Sequence, residues 1–306
     1  MHSLERRQAI IVLDFGSQYS RLITRRIRGH QFAVYVTLAN TTLAELQRNG
    51  HLDIKGFILS GGPASVFDEN APVCDPAILE SGLPVLGICY GMHLLALQRG
   101  GHVALAHGLR EYGPATIEVV SHSLEDAATF RIFESIMATP AQTEHLDPPP
   151  PSPELRLPVW MSHGDSVDQL PAGFRVIATT ESNPVAALAN GQGMIGLQFH
   201  PEVTHTPQGG EIIRNFLFRV CNCEPNWTPN AVIDEAVEIV RQQVGSERII
   251  CGLSGGVDSA VAALLLHRAQ SAGGCGRPAA VLSTIGRRDR SRTEAQDHWR
   301  RVYSCL

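Results

Sequence analysis

Three short, uninterrupted apolar runs constrain the fold more than any other feature of this chain. They are Ala-Ile-Ile-Val-Leu at residues 9–13, Gly-Phe-Ile-Leu-Ser at 56–60 and Pro-Val-Leu-Gly-Ile at 84–88. A strand with only one buried face alternates apolar and polar residues; a continuous apolar run predicts burial on both faces. The spacing between the runs leaves room for helices, predicted at about residues 19–28 and 43–48, and residues 32–37 predict one more strand. Strand and helix in alternation predict an α/β fold with a mostly parallel sheet covered on both sides. Right-handed crossovers then gather the strand C-termini, and any site, on one edge.

The texture changes near Thr116. Strands are predicted at 116–120, 159–162, 175–178, 185–188 and 194–199, joined by turns. Residues 147–153 hold five prolines, which excludes helix and central strand there and predicts a solvated loop. Residues 211–220 predict a closing helix, and 221–229 a linker. Thr228 is placed to cap a helix whose apolar positions Val232, Ile233, Ala236, Val237, Val240 and Val244 recur at helical spacing. A strand at 248–253, a glycine-rich turn and a helix from about 258 to 268 follow. The predicted domains are therefore 9–226 and 227–306.

Composition excludes several classes. The 306 residues are 43% hydrophobic and 18% charged, within the range of globular proteins. A net charge of -5 gives no electrostatic reason to bind nucleic acid or a membrane surface. Seven cysteines in irregular spacing do not form a disulfide framework, and a reducing cytoplasm is the expected setting. Cys221 and Cys223 lack a second ligand pair, so no metal site is predicted. No run is apolar and long enough to span a bilayer.

The run 84–88 leads directly into Gly87-Ile88-Cys89-Tyr90-Gly91 and a helix. Glycines on both sides of a cysteine, between strand and helix, allow the sharp turn that exposes a nucleophile. The helix N-terminus favours the thiolate. A buried structural cysteine is the competing interpretation for this segment alone. His200-Pro201-Glu202 shifts the balance, because it follows a strand predicted to end on the same edge. A cysteine nucleophile needs a base, and the base needs a group that fixes its tautomer. Gly61 and Gly62 follow the third apolar run, and their backbone N–H groups, with that of Tyr90, are placed to meet an oxyanion. Ser162, His163, Gly164 and Asp165 crowd another strand end with more polar groups than a core accepts.

Ser254-Gly255-Gly256-Val257-Asp258-Ser259, followed by Ala260, forms the second centre. Backbone N–H groups freed by two glycines, at the start of a helix, suit an anion such as a phosphate. A plain strand-to-helix turn is the alternative. The lysine of a Walker loop is absent.

The residues around Cys89, His200 and Glu202 resemble the class I glutamine amidotransferases, over about residues 9–226. That resemblance implies a flavodoxin-like glutaminase domain with Cys89 as nucleophile, His200 as base and acid, and Glu202 as its orienter. Gly62 and Tyr90 would be oxyanion donors, with Ser162–Asp165 bordering the glutamine pocket. The loop 254–260 is similar to the pyrophosphate loop of the N-type ATP pyrophosphatases, an adenine nucleotide alpha hydrolase-like fold. Together, over residues 9–269, they resemble the bacterial GMP synthases. The resemblance implies a carbon–nitrogen ligase with glutamine, XMP and ATP as substrates, ATP carrying Mg2+, no prosthetic group, and a cytoplasmic homodimer in purine biosynthesis.

Two departures stand out. The family reads Gly-Met-Gln after the elbow, where the glutamine side chain helps hold substrate; here the residues are Gly91-Met92-His93. A neutral imidazole offers one donor and one acceptor on a shorter arm, which predicts weaker glutamine binding. Residues 269–306 diverge from the family, with Arg287, Arg288, Arg290, Arg292, Arg300 and Arg301 in a stretch without apolar periodicity. That tail predicts a truncated or frameshifted pyrophosphatase unit without the dimerisation domain, competent at most for glutaminase.

Overall fold

The computed structural model describes residues 7–48, 50, 52–105, 110–120, 131–137, 155–225, 229–245, 247, 249, 251–253 and 255–271. The proline-rich segment 147–153, Thr228, Ser254 and the arginine-rich tail lie outside them. The chain divides into two compact units, Met1–Trp227 and Thr228–Leu306.

In the first unit, β1 (Arg7–Asp14), α1 (Ser20–Gly29), β2 (Val34–Leu38), α2 (Leu43–Arg48), β3 (Leu52–Leu59), α3 (Pro76–Glu80), β4 (Val85–Ile88) and α4 (Tyr90–Gln98) alternate as expected. There follow β5 (His102–Leu105), β6 (Glu111–Val119), α5 (Glu134–Met137), β7 (Arg156–His163), β8 (Asp165–Gln169), β9 (Phe174–Thr179), β10 (Ala187–Asn190), β11 (Met194–Leu197) and α6 (Gly209–Asn215). Among the described residues, nine strands form one sheet in the order β2-β1-β3-β4-β11-β10-β9-β6-β7. The neighbours from β2 to β11 are parallel. Those from β11 to β7 are antiparallel.

The apolar runs form the parallel half because each strand packs on both faces. Ile10 and Val12 join one core cluster, with Ile23 and Ile27 of α1 and Ile212 and Ile213 of α6. Ile11 and Leu13 join the other, with Ile78 of α3 and Leu95 of α4. A strand whose successive side chains enter two cores cannot tolerate a polar residue on either face. Each fully buried side chain of this size contributes about 2 kcal/mol relative to exposure.

Several boundaries differ from the sequence-based expectation. The helix expected over 211–220 starts at Gly209 and widens into a π-helical turn at Phe216–Val220, where Cys221 N–H bonds to Phe216 O at 2.9 Å. The small antiparallel pair β5–β8 has no clear periodicity in either strand. In the second unit, α7 (Pro229–Val244) and α8 (Val257–Ser271) are helical. Helix α8 continues past residue 268, where the divergent tail was expected to begin. In the strand expected at 248–253, only Leu253 forms a β-bridge among the described residues.

Candidate active site

The site follows from strand register. Leu13 pairs with Leu59, Leu59 with Gly87, and Ile88 with Leu197. The residues just past these strand ends, Ser60–Gly62, Cys89 and Gln198–His200, therefore emerge on one edge. Cys89 N–H bonds to Leu197 O at 2.7 Å, and Ser60 N–H to Leu13 O at 3.1 Å, so the edge is continuous.

Cys89 is the turn itself. Its φ of 50° and ψ of -104° lie outside the basins open to a side-chain-bearing residue, a local cost of about 1–3 kcal/mol. The neighbouring glycines make this turn possible. A Cβ on Gly87 would lie 2.5 Å from Gly91 O, and one on Gly91 would collide with the carbonyl of Leu59.

The structure brings His200 and Glu202 to this cysteine. His200 Nδ1 lies 2.7 Å from Glu202 Oε1, and both side chains are buried. Burial by itself would lower the pKa of His200. Hydrogen bonds to Cys89 and Glu202, together with the charges of both, outweigh it and push the pKa up to about 10. The backbone of His200 is clamped as well. Its N–H bonds to Trp160 O at 3.0 Å, and its carbonyl accepts from Thr206 Oγ1 at 2.7 Å. Tyr19 meets the imidazole edge-on at 5.3 Å. Helix α6 closes against the same segment, since a Cβ on Gly209 would collide with the Pro201 carbonyl.

The sulfur faces groups of both kinds. Ser162 O accepts from a thiol at 3.5 Å. Gln198 Nε2 donates toward sulfur at 3.9 Å. A thiol and a thiolate are thus both provided for.

A cavity of about 560 Å³ opens over Cys89, lined by Gly62, Tyr90, Ser162, His163, Gly164 and Asp165 among others. Gly61 sits behind it, where an added Cβ would lie 3.1 Å from His200 Cε1. Seven of the expected first-centre residues, Gly62, Cys89, Tyr90 and Ser162–Asp165, therefore line one space, and Gly61, His200 and Glu202 do not line it. Tyr90 is held by its hydroxyl, which donates to Pro72 O at 2.6 Å; burial, with the charge of Asp68, pushes its pKa to about 12. Asp165 Oδ2 accepts from Ser65 Oγ at 2.6 Å.

Sequence reasoning missed Ser65, Leu105, Arg110, Tyr112, Glu111 and Gln198. Ser65, Arg110, Leu105 and Tyr112 line the cavity. Glu111 stands behind it, accepting from His163 Nε2 at 3.0 Å and Thr180 Oγ1 at 2.9 Å, and also from Ser182 Oγ. His163 Nδ1 lies 2.9 Å from Asp165 O. Both ring nitrogens of His163 thus face oxygen atoms. The available signal was the run Arg110-Glu111-Tyr112, three polar or amphipathic residues opening a strand.

His93 has a further contact that its place in the sequence did not show. It lines the cavity, but its Nε2 is committed to Gln198 Oε1 at 2.8 Å. Burial lowers its pKa to about 4, only partly opposed by that hydrogen bond. The ring is neutral at physiological pH.

The second centre lies in the second unit. Gly255 has φ +81°, and Gly255, Gly256, Val257 and Asp258 are exposed at the start of α8. Ser259 Oγ donates to Gly256 O at 2.9 Å, and Ala260 N–H to the same oxygen at 3.2 Å. Ser254 is outside the described residues. Among the described residues, no cluster of His, Cys, Asp and Glu is arranged to hold a metal ion, and no helix is long and apolar enough to cross a membrane.

The profile of the Glutamine amidotransferase class-I family matches residues 11–220. A glutamine-hydrolyzing GMP synthase of Thermomicrobium roseum is 48% identical over 261 residues, covering 85% of this chain and 44% of that protein. One from Dehalococcoides mccartyi is 47% identical over 264 residues, with 86% and 44% coverage. The chain thus spans less than half the length of these curated relatives. A solved structure from Thermoplasma acidophilum, described as a candidate GMP synthase component, superposes with a TM-score of 0.55 at 26% identity, covering 71% of this chain and 94% of that one. With the family profile extending from β1 into the π-helical turn, the chain belongs to the class-I glutamine amidotransferases.

Proposed function

We propose that this chain hydrolyses glutamine through a thioester on Cys89. The observation that carries this reading is the cysteine held at φ 50° in the wall of one cavity, with the buried His200–Glu202 pair behind it. Cys89 Sγ attacks the side-chain amide carbon of glutamine, and the carbonyl oxygen becomes an oxyanion facing the N–H groups of Gly62 and Tyr90. His200, protonated, gives its proton to the departing nitrogen, and ammonia leaves the γ-glutamyl thioester. Water then attacks with His200 as base, releasing glutamate and restoring the thiol. Glu202 keeps Nδ1 protonated, which directs Nε2 to the reaction.

The second unit extends the proposal. The loop 254–260 suits the pyrophosphate of ATP with its Mg2+, and the curated relatives are glutamine-hydrolyzing GMP synthases. The whole reaction would be XMP + ATP + glutamine + water giving GMP + AMP + pyrophosphate + glutamate, in a cytoplasmic homodimer. ATP activates the XMP carbonyl as its adenylate, and ammonia displaces AMP.

A second reading, a glutaminase that needs neither XMP nor ATP, is favoured by one fact: every first-centre residue lies within one compact unit. Ammonia release by the purified chain, measured with and without XMP and ATP, separates the two. Glutamate formation abolished by Cys89→Ala, with a glutamyl adduct on Cys89 in the wild type, supports the core proposal. Persisting turnover in Cys89→Ala would overturn it.

A further inference from the structure

Gln198 stands between His93 and the sulfur. Its side chain is fully buried, its Oε1 lies 2.8 Å from His93 Nε2, and its Nε2 lies 3.9 Å from Cys89 Sγ. A primary amide has one accepting end and one donating end. Which end faces the sulfur is set by what the other end meets. If His93 Nε2 carries its proton, it donates to Oε1 and the NH2 group is turned toward Cys89. If Nε2 lacks its proton, the amide is better satisfied flipped, with its oxygen against the sulfur. That oxygen repels a thiolate.

We propose that His93 is a positioning residue, which fixes the Gln198 amide so that its N–H donates to the Cys89 thiolate. The family contact expected at this position is with substrate. In this chain the Nε2 of His93 is already taken by Gln198 on α4's inner side, so the residue acts on the nucleophile through an intermediary. The neutral ring found here fits the role, because an imidazole with a single proton on Nε2 makes one donor bond and no charge repulsion. The other titratable groups around this chain of contacts are His200 and Glu202 after β11, His163 at the end of β7 and Asp165 at the start of β8. They remain unchanged in the variants below.

The inference rests on Cys89 being the nucleophile, so its test reads the sulfur without glutamine. The rate of Cys89 alkylation by iodoacetamide is followed by mass spectrometry across pH in the full chain. His93→Phe and Gln198→Leu should each slow alkylation at neutral pH about tenfold, the ratio one hydrogen bond to a charged group is worth. The pH profile should move up by about one unit. The double variant should be no slower than either single one, since both remove the same contact. His93→Gln keeps a donor for Gln198 and should stay within about twofold of the wild type. With glutamine, the loss in His93→Phe should fall on kcat more than on KM. Unchanged alkylation in His93→Phe with a raised KM would make His93 a substrate contact and overturn the proposal. So would multiplied losses in the double variant. Should His93→Phe misfold by circular dichroism, His93→Ser, too short to reach Gln198, carries the same comparison. A wild type that alkylates normally but never turns over glutamine would defeat the proposed function alone.

Discussion

His200 Nδ1 and Glu202 Oε1 lie 2.7 Å apart, in a pair that is almost completely shielded from solvent. The two residues are separated only by Pro201, whose carbonyl is packed against Gly209. Their geometry is therefore set by the end of β11 and the start of α6 together. Solvent screening is weak there, and the pair can hold a proton on the imidazole far above its ordinary range.

Replacing the carboxylate tests this directly. Glu202→Gln keeps the shape but removes the charge, so kcat for glutamine hydrolysis should fall at least about a hundredfold. Stability should respond to pH in a defined direction. His200 has a pKa of about 10 in the folded chain against an ordinary value of 6.5. Its contribution is complete below about pH 6.5 and is lost as pH rises through about 10. Thermal unfolding should show the wild-type Tm dropping more steeply than that of Glu202→Gln over this window. Parallel curves would remove the pair from the account.

Gly61→Ala probes how tightly the imidazole is placed. The new Cβ would meet His200 Cε1 at 3.1 Å and Cys89 Cβ at 3.8 Å, so the ring must yield by a few tenths of an ångström. We expect kcat to fall about tenfold or more, with Tm nearly unchanged. A large loss of stability with normal kcat per folded molecule would contradict this.

Gly209→Ala acts at one remove from the imidazole. A methyl group there collides with the Pro201 carbonyl, and either α6 or the His200–Glu202 segment must move. Overpacking of this kind should destabilise by about 2–3 kcal/mol. Urea denaturation measures it, and hydrolysis should be lost with it.

Glu111→Ala should leave the buried His163 without its carboxylate. Leaving a buried donor without its acceptor is expected to cost about 1–3 kcal/mol. Because His163 Nδ1 is bound to Asp165 O, the cavity wall should loosen and KM for glutamine should rise. Glu111→Gln, retaining an acceptor, should recover most of the stability. Equal damage in both variants would point to the charge rather than the hydrogen bond.

Much of the parallel half of the sheet is legible in the sequence because its strands are buried on both faces. Nothing but a continuous apolar run satisfies that condition, and Ile10 through Leu13 does so residue by residue. Cys89, His200 and Glu202 are legible for a related reason: each sits in a short local motif that follows such a run. The pair β5–β8 is not, since its strands have neither a continuous nor a cleanly alternating pattern. Nor are Glu111 and Gln198 as site residues, because their partners lie 52 and 109 positions away in the chain.

The sequence by itself determined the α/β class and the sheet edge on which Cys89 and His200 meet, since burial and backbone conformation restrict those positions to few residue types. Only the tertiary structure decided what His93 contacts. On sequence it is an imidazole in a substrate position, with one donor and one acceptor free. In the folded chain its Nε2 lies 2.8 Å from Gln198 Oε1, a relationship fixed by the packing of α4 against the end of β11. A hydrogen bond between distant residues depends on distances of a few tenths of an ångström, and no local pattern of residue types encodes those.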